Sequence, residues 1–322
     1  FTARPVSVST RTVSAITITA TDAAGNVDTI TDTVRVDTET GLAVNPNQTA
    51  DDIINAAEHA SGVTLAGSAD AGSTVTVVLQ GVTRQATADA NGDWTVNFTA
   101  AELPEGTYTA TATITATDPA GNSETVTETF AVDTEIADPS VTSATMTGSG
   151  LRRFGTDDTI DSYSVNALDP SGNVTTPAAT VDQDPTFGTE FTFTTPIPDG
   201  TNLVVTRTDT AGNSASTLVV NEDNATTAST IGNSGIGQFD ISSLNLEYNG
   251  DSSLVLTEAQ IKALSDSSDT LTIRGKSDDT VTVTGAVDTG NTQVIDGETY
   301  NVYTIGSDGA TLVIDEDVNV II

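Results

Sequence analysis

The sequence has 322 residues, of which 45 are acidic and 10 basic, so its net charge is −35 at neutral pH, and it contains no cysteine. This charge excludes nucleic acid and anionic membranes as partners, because phosphate is bound by basic surfaces, and it favours divalent cations, which relieve self-repulsion. The lack of cysteine excludes disulfides and thiolate metal sites, and no apolar stretch is long enough for membrane insertion as a helix.

A repeated motif organises the first two thirds of the chain. The segment ITITATDAAGN at residues 16–26 recurs as TITATDPAGN at 113–122 and as VVTRTDTAGN at 204–213. The first two copies continue into TVRVDTE at 33–39 and TFAVDTE at 129–135, and the third into the looser TLVVNED at 217–223. The motif aspartates lie 96 and 91 residues apart, which is the size of one small β-sandwich and much longer than a solenoid repeat.

These repeats predict three sandwich units in chain order. Residues 1–38 hold only final strands, so we expect the C-terminal part of a domain, and the abrupt start without an apolar signal region indicates a fragment of a longer chain. A strand pair alone buries too little apolar surface to fold independently. A complete sandwich is predicted at 39–135 and a divergent one at 136–222, which carries a second turn motif, DPSGN, at 169–173.

Strict alternation of apolar and polar residues marks the strands of 39–135. The side chains predicted to face its core include Val75, Val77, Leu79, Trp94, Val96 and Phe98. Residues 89–93, DANGD, are predicted to form a turn in which Gly92 adopts positive φ. Strands every 8–12 residues, separated by polar turns and without helical periodicity, indicate a β-sandwich.

The last hundred residues have a different pattern. Thr257 and Gln260 form a capping box that predicts a short helix with Ile261 and Leu264 on one face. The segments LTIRG, TVTVTG, TYNVYTIG and TLVID that follow predict short strands divided by Asp and Gly turns. A compact β domain with one helix is therefore expected at 229–322.

The motifs together resemble the bacterial Ig-like modules of giant surface adhesins and biofilm proteins that Gram-negative bacteria export by type I secretion. The turn TATDAAGN, the linker VDTE and the stretch NGDWTVNFTAAELPEGTYTATATITATD carry this resemblance over residues 1–222. LTEAQIKALSDSSDTLTIRG, DGETYNVYT and GATLVIDEDVNVII resemble the domain that accompanies the export signal at the C-terminus of such adhesins. The glycine-rich nonapeptide calcium repeats that often precede this domain are absent from the sequence.

The fold class expected is therefore all-β, with tandem Ig-like β-sandwich domains followed by a compact C-terminal β domain with one short helix. The resemblance also implies a secreted protein at the bacterial cell surface. It further implies interdomain calcium, because modules of this type carry it.

Recurrent oxygen-bearing side chains are the candidate calcium ligands. Calcium takes six to eight oxygen ligands from carboxylates, amides and backbone carbonyls, and the sequence places such groups on the repeated turns, on the VDTE linkers and at the start of the second sandwich. A hairpin turn is expected to lie close to the linker that follows it, at the same end of a sandwich, and Asp51 and Asp52 are expected to complete the ligand shell. The predicted ligands are Asp22, Asn26, Asp37, Glu39, Asp51, Asp52, Asp118, Asn122, Asp133, Glu135, Asp209 and Asn213. The alternative is that Asp and Asn only cap turns by accepting hydrogen bonds from backbone N–H groups.

Catalysis is not expected. His59 is the one histidine, and its small-residue surroundings contain no nucleophile elbow, so a surface or boundary position is predicted. Paired carboxylates abound in so acidic a chain, but no aromatic platform for sugar accompanies them. The sequence also contains no phosphate-binding glycine loop.

Two functions remain open from sequence. The first is the extension region and C-terminal end of a calcium-dependent adhesin, whose host or biofilm ligand is bound outside this segment. The second is a subunit of a self-assembling extracellular filament or surface layer, in which copies of the protein contact one another. A carbohydrate-binding module would need exposed aromatic residues, and aromatic content is only 4%.

Overall fold

A computed structural model describes residues 11–45, 49–157, 160–184, 188–221, 236–248, 252–265, 269–306 and 309–322. Strands, two short α-helices and two single-turn 3₁₀ helices make up the regular structure of these ranges, which confirms the all-β fold class. No helix in the described ranges is long and apolar enough to cross a membrane. The chain divides into two compact units, residues 1–135 and 136–322.

A two-stranded hairpin opens the described chain. Strand β1 (Arg11–Thr21) pairs antiparallel with β2 (Val27–Asp37), and the register runs without a break from Thr21 opposite Val27 to Arg11 opposite Asp37. Side chains on both faces of this hairpin are exposed, including large apolar ones such as Ile18 at 60% and Ile30 at 64%. The hairpin therefore has an apolar face that none of the described residues covers.

Residues 39–135 form a two-sheet sandwich. Its elements are β3 (Leu42–Val44), β4 (Ile53–Ile54), α1 (Ala56–Ser61), β5 (Val63–Ala69), β6 (Thr74–Leu79), β7 (Val82–Thr87), β8 (Asp93–Phe98), β9 (Thr107–Thr117) and β10 (Ser123–Asp133). One sheet has the order β3-β5-β8 and the other β4-β10-β9-β6-β7. All six predicted core residues are buried between them. The predicted turn at 89–93 is also confirmed, with Gly92 at φ +83°.

A third sandwich begins the second compact unit. Its strands are β11 (Val141–Thr147), β12 (Gly150–Thr156), β13 (Ser162–Leu168), β14 (Val174–Thr175), β15 (Ala179–Asp184), β16 (Gly188–Ile197), β17 (Asn202–Thr208) and β18 (Ser214–Val219). One sheet has the order β11-β12-β16-β15, and β14-β13-β17-β18 begins the other. Phe154 lies against Phe191, with ring centroids 4.9 Å apart, at the centre of the core.

The terminal region combines parallel strand pairs with an antiparallel edge. Its elements are β19 (Ile241–Asn245), β20 (Ser253–Val255), α2 (Glu258–Leu264), β21 (Thr270–Arg274), β22 (Thr280–Thr282), β23 (Ala286–Ile295), β24 (Glu298–Ile305), β25 (Ala310–Asp315) and β26 (Asn319–Ile321). Parallel pairing joins β19-β21-β25 on one side and β20-β22-β26 on the other, and β25-β24-β23 is the antiparallel edge. The predicted capping box of Thr257 and Gln260 opens α2, and Ile261 and Leu264 are buried.

One nine-stranded sheet runs through both parts of the second unit. Its order is β14-β13-β17-β18-β19-β21-β25-β24-β23, and β18 pairs directly with β19 in parallel. The sequence predicted two separate domains, at 136–222 and 229–322, and did not predict this shared sheet. Residues 222–235 lie outside the described part of the chain.

Candidate metal centre

Four chain segments meet at one end of the second sandwich. The linker after β2 reaches it because the Asn122 side-chain amide donates to the Asp37 carbonyl oxygen at 3.2 Å. The loop 70–73 is tied to the turn 89–92, since Gly72 N donates to Ala88 O at 3.0 Å and Ala88 N to Ser73 O at 2.9 Å. The turn 118–122 lies beside that loop through the register of β6 and β9. Here the hairpin linker adjoins the next domain.

The repeated Asp–Asn turns share one hydrogen-bond pattern. In the turn at 118–122, Asn122 donates its backbone N–H to Asp118 Oδ1 at 2.8 Å and its side-chain amide to Asp118 Oδ2 at 2.9 Å. Asp22 with Asn26 and Asp209 with Asn213 repeat this geometry, as does the 169–173 turn. Each of these aspartates therefore caps its own turn, which is the role that the alternative interpretation gave to them.

Hydrogen bonds to these capping carboxylates favour their ionised form. The side-chain amide of Asn122 is the largest influence that lowers the pKa of Asp118, and Asn26 does the same for Asp22. Because the ionised carboxylate accepts these bonds, it is the favoured form in the folded turn. The turns can therefore present negative charge without losing their local structure, and capping does not exclude a nearby cation.

Asp70 is the feature of this end that the sequence analysis missed. Its side chain is 9% exposed, and its Oδ2 is buried without a hydrogen-bond partner. Ser73 Oγ, three residues later, and Thr40 Oγ1 in the linker are buried without partners as well. An ionised carboxylate is costly to bury unless a counter-charge or donors compensate it. A hard cation, which takes oxygen ligands, is one group that can satisfy such atoms.

The structure separates Asp22 and Asn26 from Asp37 and Glu39. The turn lies at one end of the hairpin and Asp37 at the other, ten register steps away, which is roughly 33 Å at the rise of a β-strand. The expectation that a turn converges with the linker of its own repeat is corrected here. The linker meets the turn of the following domain, 118–122, instead.

Asp51 and Asp52 do not lie at this end. The Asp52 carbonyl oxygen accepts from Ala131 N at 3.2 Å, near the end of β10 that leads to Asp133, and Asp51 Oδ1 caps Ile53 N at 3.2 Å. They cannot complete a shell around Asp37, so that expectation is corrected. Burial, with the negative charge of Asp52 as a smaller influence, raises the pKa of Glu128.

The remaining predicted ligands occupy other places. Asp133 Oδ1 accepts from Thr107 Oγ1 at 2.8 Å, and Thr134 pairs with Gly106 beside it, so the linker that contains Glu135 is held against the loop before β9. Asp209 and Asn213 form their turn in the second compact unit. Among the described residues, no three acidic or histidine side chains come together as a metal cluster.

His59 lies inside the second sandwich rather than at its surface. It is 5% exposed, and its Nε2 is 2.9 Å from the Leu103 carbonyl oxygen. The prediction of a surface or boundary position is therefore wrong, because α1 packs this side chain inward against the turn that precedes β9. Because its polar contact is with a backbone carbonyl group, the His59 side chain has a structural role.

The family of this sandwich is decided by a comparison with known protein families. The profile described as a bacterial Ig-like domain matches residues 47–134. The chain carries a bacterial Ig-like domain. The matched range coincides with the sandwich that contains Trp94, Asp70 and the turn 118–122, so the candidate centre lies on the Ig-like domain itself. No curated protein matches the chain.

Solved structures of bacterial adhesins are similar to the chain that holds this Ig-like domain. A bacterial immunoglobulin-like domain from the M. primoryensis ice-binding adhesin is 37% identical, over 29% of this chain and 95% of that one, with a TM-score of 0.23. A Ca²⁺-stabilized adhesin that helps an Antarctic bacterium bind ice is 23% identical, over 96% of this chain and 82% of that one, with a TM-score of 0.40. A 1.5-MDa bacterial ice-binding adhesin is 22% identical, over 64% and 72%, with a TM-score of 0.41.

Proposed function

We propose that this chain is a structural extension region and the C-terminal end of a large bacterial cell-surface adhesin whose domain junctions are stiffened by calcium. The observation that carries the proposal is the meeting of the linker, the loop 70–73 and the turn 118–122 at one end of the Ig-like domain, where Asp70 Oδ2 is buried without a hydrogen-bond partner. The similarity to a Ca²⁺-stabilized adhesin supports the identity of the cation. The protein acts outside the cell as a spacer, not as an enzyme.

The ligand set that we propose is mixed. The buried Asp70 carboxylate and the hydroxyl oxygens of Ser73 and Thr40 are the proposed side-chain ligands. Asp37 and Asp118, in the linker and the turn, add negative charge to this end of the domain without acting as ligands. Calcium accepts carboxylate, hydroxyl, amide and carbonyl oxygens in flexible geometry, so three converging carboxylates are not a requirement. A cation at this point cross-links two successive domains and removes the repulsion between their acids.

We also propose that the β1–β2 hairpin is the last hairpin of a further sandwich. Its register matches that of β9–β10 with an offset of 96 residues throughout. Ile18 and Val34, exposed at 60% and 42%, correspond to Ile114 and Phe130, which are 0% and 2% exposed beneath the sheet β3-β5-β8. The sheet that covers the hairpin is assigned to sequence that precedes it in the parent polypeptide.

Export by type I secretion and a role in biofilm adhesion complete this proposal. They rest on the resemblance of the terminal 94 residues, 229–322, to the secretion-associated domain of such adhesins. The adhesive ligand is assigned to a part of the parent protein outside this chain.

A self-assembling extracellular filament is a second candidate function, and the exposed apolar face of the hairpin favours it. A copy of the chain could cover that face. However, a two-stranded ribbon of this length presents only roughly 330 Å², whereas a stable interface buries about 800 Å² on each partner. A sheet that belongs to the same polypeptide has a high effective concentration and can pack on this small face more readily than a second copy. The extension role is therefore preferred.

Exchanging Asp70 for asparagine tests the calcium proposal. Extracellular calcium modules bind with Kd values of about 10⁻⁴–10⁻³ M, so 10 mM calcium should stabilise the wild-type Ig-like domain by about 1.4–2.7 kcal/mol. Asp70→Asn keeps the shape of the side chain and removes its charge. We expect the variant to lose most of this increment in thermal unfolding followed by Trp94 fluorescence.

The same comparison of Asp70→Asn with wild type in the presence of a chelator is the second part of this experiment. Without cation, Asp70→Asn should be at least as stable as wild type, because it removes a buried charge without a partner. Asp28→Asn, at an exposed position in β2, is the matched control and should retain the full calcium increment. Equal calcium increments in Asp70→Asn and wild type would rule out the proposed site.

A further inference from the structure

Two strands of the third sandwich, β17 and β18, are buried on both faces over part of their length. In β17, the consecutive residues Leu203, Val204 and Val205 are each 0% exposed. Leu203 and Val205 belong to the sandwich core, whereas Val204 belongs to the core of the terminal region, together with Leu218 of β18. An Ig-like sandwich that stood alone would expose the second face to solvent and place polar residues there.

A single row of apolar side chains crosses five strands on this second face. The members of the row, taken as successive register partners in β17, β18, β19, β21 and β25, are Val204, Leu218, Leu244, Ile273 and Ile314. Each of them is 0% exposed. The core of the terminal region therefore continues into the sandwich without a polar boundary.

The other repeats show that this apolar face is particular to the third sandwich. In the hairpin register, the pair Val204–Leu218 is next to the pair Val205–Thr217. The corresponding pair of the second repeat is Thr113 opposite Thr127, and both of these side chains are exposed. The first repeat likewise has exposed threonines as the corresponding pair, Thr17 opposite Thr31. Two outward threonines of the repeat are thus replaced by valine and leucine where the terminal region docks.

Hydrogen bonds reinforce the junction between β18 and β19. The Thr217 hydroxyl donates to the Pro139 carbonyl oxygen at 3.0 Å and lies 2.5 Å from the Ser243 hydroxyl, and all of these atoms are buried. The Ser242 hydroxyl donates to the Ser216 carbonyl oxygen at 3.2 Å. Side chains and backbone groups of the two parts are therefore joined by direct hydrogen bonds.

The most deeply buried of the described acids in the terminal region is satisfied by protein groups. Asp279 is 1% exposed, and its carboxylate accepts from Ser252 N at 3.1 Å and from Lys276 N at 2.7 Å. Its own carbonyl oxygen accepts from Asn319 N at 3.0 Å. It thereby connects the three turns that precede β20, β22 and β26, and it differs from Asp70, whose Oδ2 has no partner.

We infer that residues 136–322 are one cooperative folding unit, in which the second face of the β13-β17-β18 sheet is the docking surface for the terminal region. Apolar contacts and protein hydrogen bonds close this junction, so it stays closed when cations are removed. The third sandwich serves as an adapter between the Ig-like repeats and the terminal region, and it is unstable without the terminal region.

Native-state hydrogen exchange of the whole chain under increasing denaturant tests this inference. In the wild type, amides of β17–β18 and of β21–β25 should open together, at the same denaturant concentration with calcium or with a chelator. The double variant Val204→Thr, Leu218→Thr restores the threonines of the other repeats. It should lower the protection of both strand groups by roughly 100-fold or more, because it buries two hydroxyls at an apolar interface.

Val181→Thr, the same chemical change at an exposed position of β15, is the control and should leave protection unchanged. Wild-type β17–β18 amides that open at a lower denaturant concentration than β21–β25 would overturn the inference. So would a double variant in which only the sandwich loses protection. The wild-type measurement decides the question even if the double variant does not fold.

Discussion

Replacing Phe98 by alanine is expected to unfold the Ig-like domain at 39–135 while residues 136–322 stay folded. Phe98 is 1% exposed in the core of the Ig-like domain. Truncation of a buried phenylalanine to alanine lowers the free energy of unfolding by about 3–5 kcal/mol. A domain of this size loses 4–8 °C of melting temperature for each kcal/mol, so its midpoint should fall by roughly 15–30 °C.

Trp94 makes this prediction easy to measure. It is the one tryptophan of the sequence and is 2% exposed in the same core, so its fluorescence follows the Ig-like domain alone. Calorimetry should show a second transition, from residues 136–322, at an unchanged temperature. Val294→Ala, at a side chain that is 71% exposed, serves as the control. A single transition that moves as a whole would contradict the separation into two units.

Amide hydrogens of the β1–β2 hairpin should exchange several orders of magnitude faster than those of β9–β10. The two hairpins have the same register, but within the described part of the chain only β9–β10 has a covered face. Two strands without a packed face are marginally stable in water. Exchange followed by mass spectrometry on the whole chain compares the two hairpins in one sample.

The dependence of this exchange on protein concentration distinguishes a hairpin that is stable by itself from a hairpin whose apolar face is covered by another copy of the chain. Slow, concentration-independent exchange in β1–β2 would show that the hairpin is stable without a covering sheet, against the half-domain assignment. Protection that grows with concentration would indicate that copies of the chain cover the face, as the filament hypothesis requires.

The repeats made much of the fold predictable. The spacing of the TDxAGN motifs and the alternation in segments such as TATATIT are local properties, and they fixed the strands, the turns and the core positions around Trp94. The capping box of Thr257 was sufficient in the same way to predict α2. Such signals need only neighbouring residues, because capping and strand alternation act over a few positions.

The shared sheet was not predicted, because it depends on a contact between segments distant in sequence. A signal for it was nevertheless present. The runs LVV at 203–205 and LVV at 218–220 lack the alternation of the earlier repeats, and a strand that is apolar without alternation is typical of burial on both faces. The divergence of the third repeat is therefore explained by docking of the terminal region.

Asp70 was missed for a different reason. In sequence it is one aspartate among many in an Asp-rich chain, and no motif distinguishes DAGS at 70–73 from an ordinary turn. Only burial separates it from the exposed acids. The opposite error concerned Asp22 and Asp51, whose positions along the chain suggested a convergence that the antiparallel and parallel registers of β2 and β4 do not allow.

The most direct test of the calcium-stiffened extension is a distance distribution between spin labels placed across the linker that contains Asp37 and Thr40. Because the chain has no cysteine, Thr31→Cys and Thr95→Cys, at exposed positions on either side of that linker, can be labelled selectively. Thr180→Cys with Glu316→Cys, both in the second compact unit, is the control pair. The account predicts a narrow distribution across the linker with calcium, a broad one after chelation, and no change for the control pair. Equal widths across the linker with and without calcium would contradict it.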